Sequence, residues 1–128
     1  MERLKERMVL AGQVLQRLHE LALRVDLTEV ERDALIQRFE FSFEIVWKVA
    51  KDYLSVEEGI DAASPKKVIR SCREVGLLDE AETRLALVMA DDRNLTAHTY
   101  DEEFAQQMVT KIVEYDLLLR CWYEKMIK

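Results

Sequence analysis

The spacing of apolar residues, in a chain with few helix breakers, most constrains the fold. In the first segment they recur at alternating steps of four and three, which is typical of a helix packed in a bundle. These residues are Leu4, Met8, Ala11, Leu15, Leu18, Ala22 and Val25. The 128 residues include only 3 Gly and 1 Pro, so turn signals are too rare for many short strands. The sequence therefore predicts an all-α protein whose first helix runs from about Glu2 to Val25.

Helix-capping signals divide the rest of the chain. Three pairs have the form of a capping box, in which two side chains satisfy free N–H groups at a helix start. The pairs are Thr28 with Glu31, Asp79 with Glu82, and Thr99 with Glu102. They predict the second, fourth and last helices; Gly59 is expected to end the second, and the fourth is expected to continue to about Ala97. Ser64-Pro65 and Gly76 predict a short helix over residues 65–75.

Apolar stripes assign an inner face to each later long helix. The predicted stripes are Leu35, Phe39, Phe43, Val46, Ala50 and Leu54; then Ala81, Leu85, Val88 and Met89; then Phe104, Met108, Ile112, Tyr115, Leu119 and Trp122. Four long helices and one extra short helix, joined by short loops, predict an up-and-down four-helix bundle that forms a single domain over residues 1–128. Leu10, Val14 and Leu21 lie outside the main stripe of the first helix and suggest a homodimer surface.

Composition narrows the classes of function. The net charge is −6, which argues against general coating of nucleic acid, so any RNA contact should be local. No apolar stretch suits a membrane span and the N-terminal residues do not resemble a signal peptide, so we expect a cytoplasmic protein. Cys72 and Cys121 lack metal-ligand spacing and are expected to be free thiols packed as small apolar groups. The sequence predicts neither a metal site nor a cofactor.

Residues 91–100 carry the most unusual chemistry of the sequence. Arg93 offers planar donors for a phosphate, and His98 can act as general base or acid near neutral pH. If the fourth helix continues to about Ala97, both side chains can converge on one ligand, a pair suited to metal-independent RNA cleavage. Tyr100 lies near a predicted helix start, a location that favours anions, and Asn94 could orient a base, a phosphate or His98.

Plainer interpretations remain open for this segment and for the helix before it. An arginine and a histidine near a helix end often form only surface ion pairs, and Asp91 and Asp92 could hold Arg93. In the short helix Lys66, Arg70 and Arg73 share a basic face, with Lys67 alongside, which could bind nucleotide or RNA, or could simply be solvated.

Two other residues invite a functional interpretation and have a structural one. His19 lies among apolar and acidic neighbours on the first helix and is expected at the boundary of the core. Trp47 could stack on a base, but an aromatic residue beside an apolar stripe is more often part of the core.

Three stretches of the chain, taken together, resemble a known family. They are FEFSFEIVWK (residues 39–48) continued by KDYL (51–54), Ser64-Pro65 with the basic helix that follows, and RNLTAHTYDE (93–102). In order and spacing they are similar to the nucleotidyltransferase substrate-binding protein family of the HEPN superfamily. The resemblance implies an all-α four-helix bundle, a homodimer, and a separate minimal nucleotidyltransferase as partner.

The resemblance also implies roles for individual residues. HepT relatives carry an R-x4-H-x-Y motif, matched here by Arg93, His98 and Tyr100. In those relatives the arginine and histidine form a ribonuclease site in a cleft between two subunits, and the tyrosine accepts AMP groups that silence a toxin. The stretches at residues 39–54 and 99–102 look closer to the substrate-binding branch than to HepT toxins. Two hypotheses follow: a HepT-like toxin with ribonuclease activity, or a non-catalytic subunit that binds a nucleotide or substrate.

Overall fold

Helices form nearly all of the part of the chain that the structure, a computed structural model, describes. Residues 2–98 and 101–128 are described, with the backbone alone for His98. The α-helices are α1 (Glu2–Ala22), α2 (Glu29–Glu58), α3 (Pro65–Glu74), α4 (Glu80–Leu95) and α5 (Glu102–Ile127), and a 3-10 helix (Thr96–His98) follows α4. No strand occurs among the described residues, so the all-α prediction is confirmed.

The predicted caps of α2, α3 and α4 are confirmed. Thr28 with Glu31 and Asp79 with Glu82 form reciprocal capping boxes, and the Ser64 hydroxyl accepts from the Lys67 N–H. Gly59 ends α2 in the left-handed region at φ 67°, a conformation in which a side chain would be strained.

Contacts between side chains fix the direction of each long helix. Arg7 reaches Asp52, and Arg38 donates to the Arg17 carbonyl, so α1 and α2 are antiparallel. Glu40 contacts Arg93, near the end of α4, so α4 runs opposite to α2. The structure thus has the up-and-down topology expected from the short loops.

The helix α5 is antiparallel to α4 and α1. Lys125 near its end pairs with Glu82 near the start of α4, and Tyr123 donates to the Met8 carbonyl. It therefore runs parallel to α2, against which the Tyr115 ring stacks on the Phe39 ring at 5.5 Å between centroids. The predicted stripe of α2 is wholly buried, and that of α5 is buried from Met108 onward.

Three apolar assignments were wrong. The helix α1 ends at Ala22 rather than Val25, because the chain turns through Asp26 at φ 54° and leaves Val25 82% exposed. Leu21, predicted on a dimer surface, is buried in the core. On α4 the inner face is displaced from the predicted stripe, so Val88 and Ala81 are exposed. Met89 is buried as predicted, and Thr83, Ala86 and Ala90 are buried with it.

The junction between α4 and α5 also differs from the prediction. The α-helix stops at Leu95 rather than about Ala97, because the Thr96 N–H and hydroxyl both approach the Arg93 carbonyl and tighten the last turn. The cap of α5 is Asp101, whose carboxylate accepts from the N–H groups of Glu103 and Phe104. The predicted capping box of Thr99 with Glu102 depends on Thr99, which lies outside the described residues.

Candidate functional site

Arg93 is held where α4 crosses α2. Its Nη1 donates to Glu40 Oε2 at 3.3 Å, and its Nε lies 3.5 Å from Glu44 Oε1. Glu40 and Glu44 are one helical turn apart, so both carboxylates face the same side of α2. The Arg93 side chain is 27% exposed, which leaves it accessible in a fixed orientation.

Thr96 completes the contacts of Arg93. Its hydroxyl accepts from Arg93 Nη1 at 3.2 Å and lies within hydrogen-bonding distance of Glu40 Oε2 as a donor. The side chain is buried, and the same hydroxyl can alternatively donate to the Arg93 carbonyl. The first residue of the 3-10 helix is therefore tied to α2 as well as to α4.

Glu44 is oriented by a second donor. The indole Nε1 of Trp47 donates to Glu44 Oε2 at 3.2 Å, while Arg93 approaches Oε1. Trp47 is partly buried against the core, as its sequence context predicted, and its one polar atom faces the site.

The aspartates before Arg93 do not hold it, contrary to one sequence interpretation. Asp91 pairs with Lys66 at 2.6 Å, and Asp92 is buried, accepts from the Tyr115 hydroxyl and lies 3.4 Å from Lys111. Burial, helped by the Asp92 carboxylate, raises the pKa of Tyr115 well above its ordinary value. Tyr115 therefore stays protonated and anchors this end of α4 to α5.

Two clefts lie on either side of Arg93. Glu40 and Thr96 help to line one, of about 430 Å³, with residues from the start of α2. Glu44 and Asn94 help to line the other, of about 280 Å³, between α2, α3 and α4. Because Arg93 contacts both glutamates, its guanidinium lies between the two clefts.

The predicted basic face of α3 is divided in space. Lys66 lines the same cleft as Asn94, whereas Arg70 and Arg73 line a different cleft toward the start of α4. Arg73 lies 3.8 Å from Glu80, which is thirteen residues before Arg93, or roughly 20 Å along a helix. A phosphate bound at Arg93 cannot also contact Arg73, so Lys66 is the residue of the basic face that adjoins the Arg93 site.

The remaining predicted site residues, His98 and Tyr100, belong to the segment that joins α4 to α5. The backbone of His98 ends the 3-10 helix two residues after Thr96, but its side chain and Tyr100 lie outside the described residues. The start of α5 is fixed, because Arg32 binds both carboxylate oxygens of Glu102 at 2.6 and 3.0 Å. The Arg32 hydrogen bonds hold the pKa of Glu102 below its ordinary value.

Sequence reasoning missed Glu40, Glu44 and Thr96 as partners of Arg93. The available signal was a pair of acidic residues four apart on the most aromatic helix, on a face that adjoins the buried stripe. Among the residues that the structure describes, no group of three His, Cys, Asp or Glu side chains could hold a metal ion, and no helix is long and apolar enough to cross a bilayer.

Comparisons with known proteins identify the family. Residues 6–128 match the family described as nucleotidyltransferase substrate binding protein like. The Haemophilus influenzae protein named Probable ribonuclease HepT is 32% identical over 84 residues, which cover 62% of this chain and 56% of that protein, so the chain spans little more than half of that relative. A crystal structure of a Thermus thermophilus protein, 47% identical, matches with a TM-score of 0.90 over 92% of this chain and 99% of its own. The chain belongs to the nucleotidyltransferase substrate-binding protein family, as its sequence motifs indicated, and has a HepT-like relative.

Proposed function

We propose that this chain is a homodimeric, metal-independent ribonuclease that acts with a separate minimal nucleotidyltransferase, and that AMP transfer to Tyr100 silences it. The observation that carries the proposal is the position of Arg93, which is fixed between two clefts one turn before the 3-10 helix that ends at His98. The family description supports the partner, and the HepT relative supports the reaction class.

The chemistry assigns separate roles to the two catalytic residues. His98 accepts the proton of a ribose 2′-hydroxyl, whose oxygen attacks the adjacent phosphorus. The bond from phosphorus to the 5′-oxygen breaks, and a 2′,3′-cyclic phosphate remains. The 5′-oxygen leaves with a proton that a His98 imidazolium donates. Arg93 stabilises the charge that grows on the phosphoryl oxygens. Glu40 and Thr96 hold the guanidinium in place, so little reorganisation is required.

Exposed apolar side chains beside the site support a homodimer. Phe41 on α2 is 57% exposed and follows Glu40, and Val30, which lines the Glu40 cleft, is 78% exposed. On α1, Leu10 is 49% exposed, and Val14, one turn on, shares a cleft with Phe41. A second copy that covers Phe41 would close the Arg93 site from one side.

The AMP-transfer step requires the partner protein. The Tyr100 oxygen would attack the α-phosphorus of ATP and release pyrophosphate, with the nucleotidyltransferase as catalyst. The present chain contains no Gly-Ser motif followed by paired aspartates, so it does not supply that activity itself. The added phosphate would carry negative charge into the segment between His98 and α5 and would compete with RNA for Arg93.

A single experiment tests cleavage and silencing together. The purified protein is incubated with a structured RNA in the presence of a metal chelator, before and after treatment with the cognate nucleotidyltransferase and ATP, and its intact mass is measured. We expect cleavage that stops as AMP groups are added, and a Tyr100→Phe variant that still cleaves and gains no mass. Continued cleavage by the modified protein would contradict the silencing step.

A non-catalytic binding subunit is the second candidate, and the charge around Arg93 favours it. Two carboxylates surround one guanidinium, so this part of the site has no net positive charge to attract a phosphate chain. In that case no RNA is cleaved at any pH, while Arg93→Ala weakens binding of a nucleotide or of the nucleotidyltransferase.

A further inference from the structure

The cleft between α2, α3 and α4 has the size and walls of a site for one ring system. Its volume of about 280 Å³ is just below the roughly 300 to 1,000 Å³ that encloses larger ligands. Phe43, Pro65 and Ala90 form its apolar walls. The polar groups at its edge are Glu44, Asn94, Ser64 and Lys66. Apolar walls with a few polar groups are suited to a nucleobase.

Glu44 determines which atoms of a ligand can enter. Trp47 Nε1 donates to Glu44 Oε2 at 3.2 Å, and Arg93 Nε lies 3.5 Å from Oε1 without a hydrogen bond, so both oxygens can still accept. An ionised carboxylate only accepts hydrogen bonds, so it repels a phosphate and favours an edge that carries N–H donors. The group that contacts the Glu44 carboxylate directly is therefore a base rather than a phosphate.

We infer that this cleft binds the guanine base of an RNA substrate, with the guanine N1–H and exocyclic amino group donating to Glu44. Guanine is the RNA base whose Watson–Crick edge places two N–H donors side by side, whereas adenine and cytosine pair each donor with an acceptor. The Asn94 amide is exposed, lines the same cleft and can donate to the guanine O6. The inference rests on the proposed function in placing the adjacent phosphate at Arg93.

The positions of Lys66 and Arg93 agree with a base that binds inside the cleft and phosphates that lie outside it. Lys66 Nζ lies 2.6 Å from Asp91, but both side chains are roughly half exposed, so the pair is weak and a phosphate can compete for Lys66. Lys66 lines the cleft, and Arg93 lies 3.5 Å from the carboxylate of Glu44, which also lines it. A guanine inside the cleft would place its own phosphates toward these cations.

Binding of GMP and AMP, measured by titration calorimetry, tests the base preference. We expect GMP to bind about tenfold tighter than AMP, because a carboxylate that loses its two charged hydrogen bonds loses at least that factor. Glu44→Gln should abolish the difference, whereas Glu57→Gln, an exposed residue farther along α2, should retain it. Lys66→Ala should weaken both nucleotides equally. Equal affinity of the wild type for GMP and AMP, or an unchanged preference in Glu44→Gln, would overturn the inference.

Indole NMR signals locate the binding without reference to activity. The chain has two tryptophans; Trp47 donates to Glu44, while Trp122 is fully buried in the core. GMP should shift the Trp47 indole N–H signal and leave that of Trp122 in place, and a shift of both or of neither would place GMP elsewhere. RNA cleavage is measured on the same wild-type protein, so that a base preference without RNA cleavage removes the ribonuclease proposal alone, and cleavage without a base preference removes this inference alone.

Discussion

An arginine and a carboxylate belong to one cluster of side chains between α2 and α4 and to another where α1 packs on α5, and the two clusters differ in their surroundings. Arg93 lies between two clefts and contacts Glu40 and Glu44 of α2. Where α1 packs on α5, Asp116 is buried, with its Oδ2 2.8 Å from His19 Nδ1, and Arg120 lies 3.0 Å from the same ring nitrogen. The second cluster joins two helices across the core, whereas the first lies beside space that a ligand can enter. The same residue types therefore support opposite expectations, one for binding and one for stability.

The two histidines of the sequence provide the largest expected contrast. His98→Ala should reduce RNA cleavage by about 10² to 10⁴, the usual contribution of a general acid or base. His19→Ala should leave the rate constant of the folded protein within about twofold, because His19 belongs to the α1–α5 cluster. Cleavage rates measured in chelator, with circular dichroism to confirm folding, decide the question. Equal losses in both variants would mean that the two clusters are not functionally distinct.

The same contrast reverses for stability. Asp116→Ala should lower the free energy of unfolding by about 2 kcal/mol, because it leaves His19 without its buried carboxylate partner. Glu40→Ala removes a partly exposed ion pair and should cost about 1 kcal/mol or less. Urea denaturation at pH 7 measures both values. A larger loss for Glu40→Ala would make the Arg93 cluster a structural element rather than a binding site.

The Tyr115 hydroxyl connects the Arg93 segment to the core, so its removal should have an intermediate effect. Tyr115→Phe should cost about 2 kcal/mol, because buried Asp92 loses a donor. The control Tyr123→Phe, whose hydroxyl donates to the neutral Met8 carbonyl, should cost about 1 kcal/mol.

The effect of Tyr115→Phe should also depend on pH. Since the pKa of Tyr115 is raised in the folded state, its contribution is complete below the ordinary value of 10.0 and falls at higher pH, where the unfolded chain ionises. The difference in stability between wild type and Tyr115→Phe should therefore narrow above pH 10. A difference that widens there would contradict the raised pKa.

Local signals in the sequence were sufficient for the fold. Capping boxes such as Thr28 with Glu31 depend on residues three apart, and the apolar stripe of α2 depends on steps of three and four, so both can be read without the rest of the chain. The wrong assignments of helix faces share one cause. The burial of Leu21 and the exposure of Val88 depend on which neighbouring helix covers them, and periodicity within one helix does not contain that information.

The candidate site was predictable in part for the same reason. Arg93 and Asn94 stand out in the sequence because they are close to His98, but the groups that orient Arg93 are 53 and 49 residues earlier, at Glu40 and Glu44. The separation of Lys66 from Arg73 also follows from packing, because α3 lies along α4 and places the two residues near opposite ends of it. Long-range pairing of charges is what the sequence pattern alone leaves undetermined.

The smallest expected effect concerns Glu102, whose pair with Arg32 is the most exposed of those compared. Arg32 lowers the pKa of Glu102 below its ordinary 4.5, so the pair stabilises the folded state above that pH and the contribution disappears as the pH falls through the lowered value. Glu102→Gln should therefore lower the thermal midpoint slightly at pH 7 and not at all in acid, and added salt should reduce the difference. The neighbouring Glu103→Gln controls for the charge at the start of α5. If both variants behave alike, the Arg32–Glu102 pair makes no specific contribution, and the Asp101 cap alone fixes the start of α5.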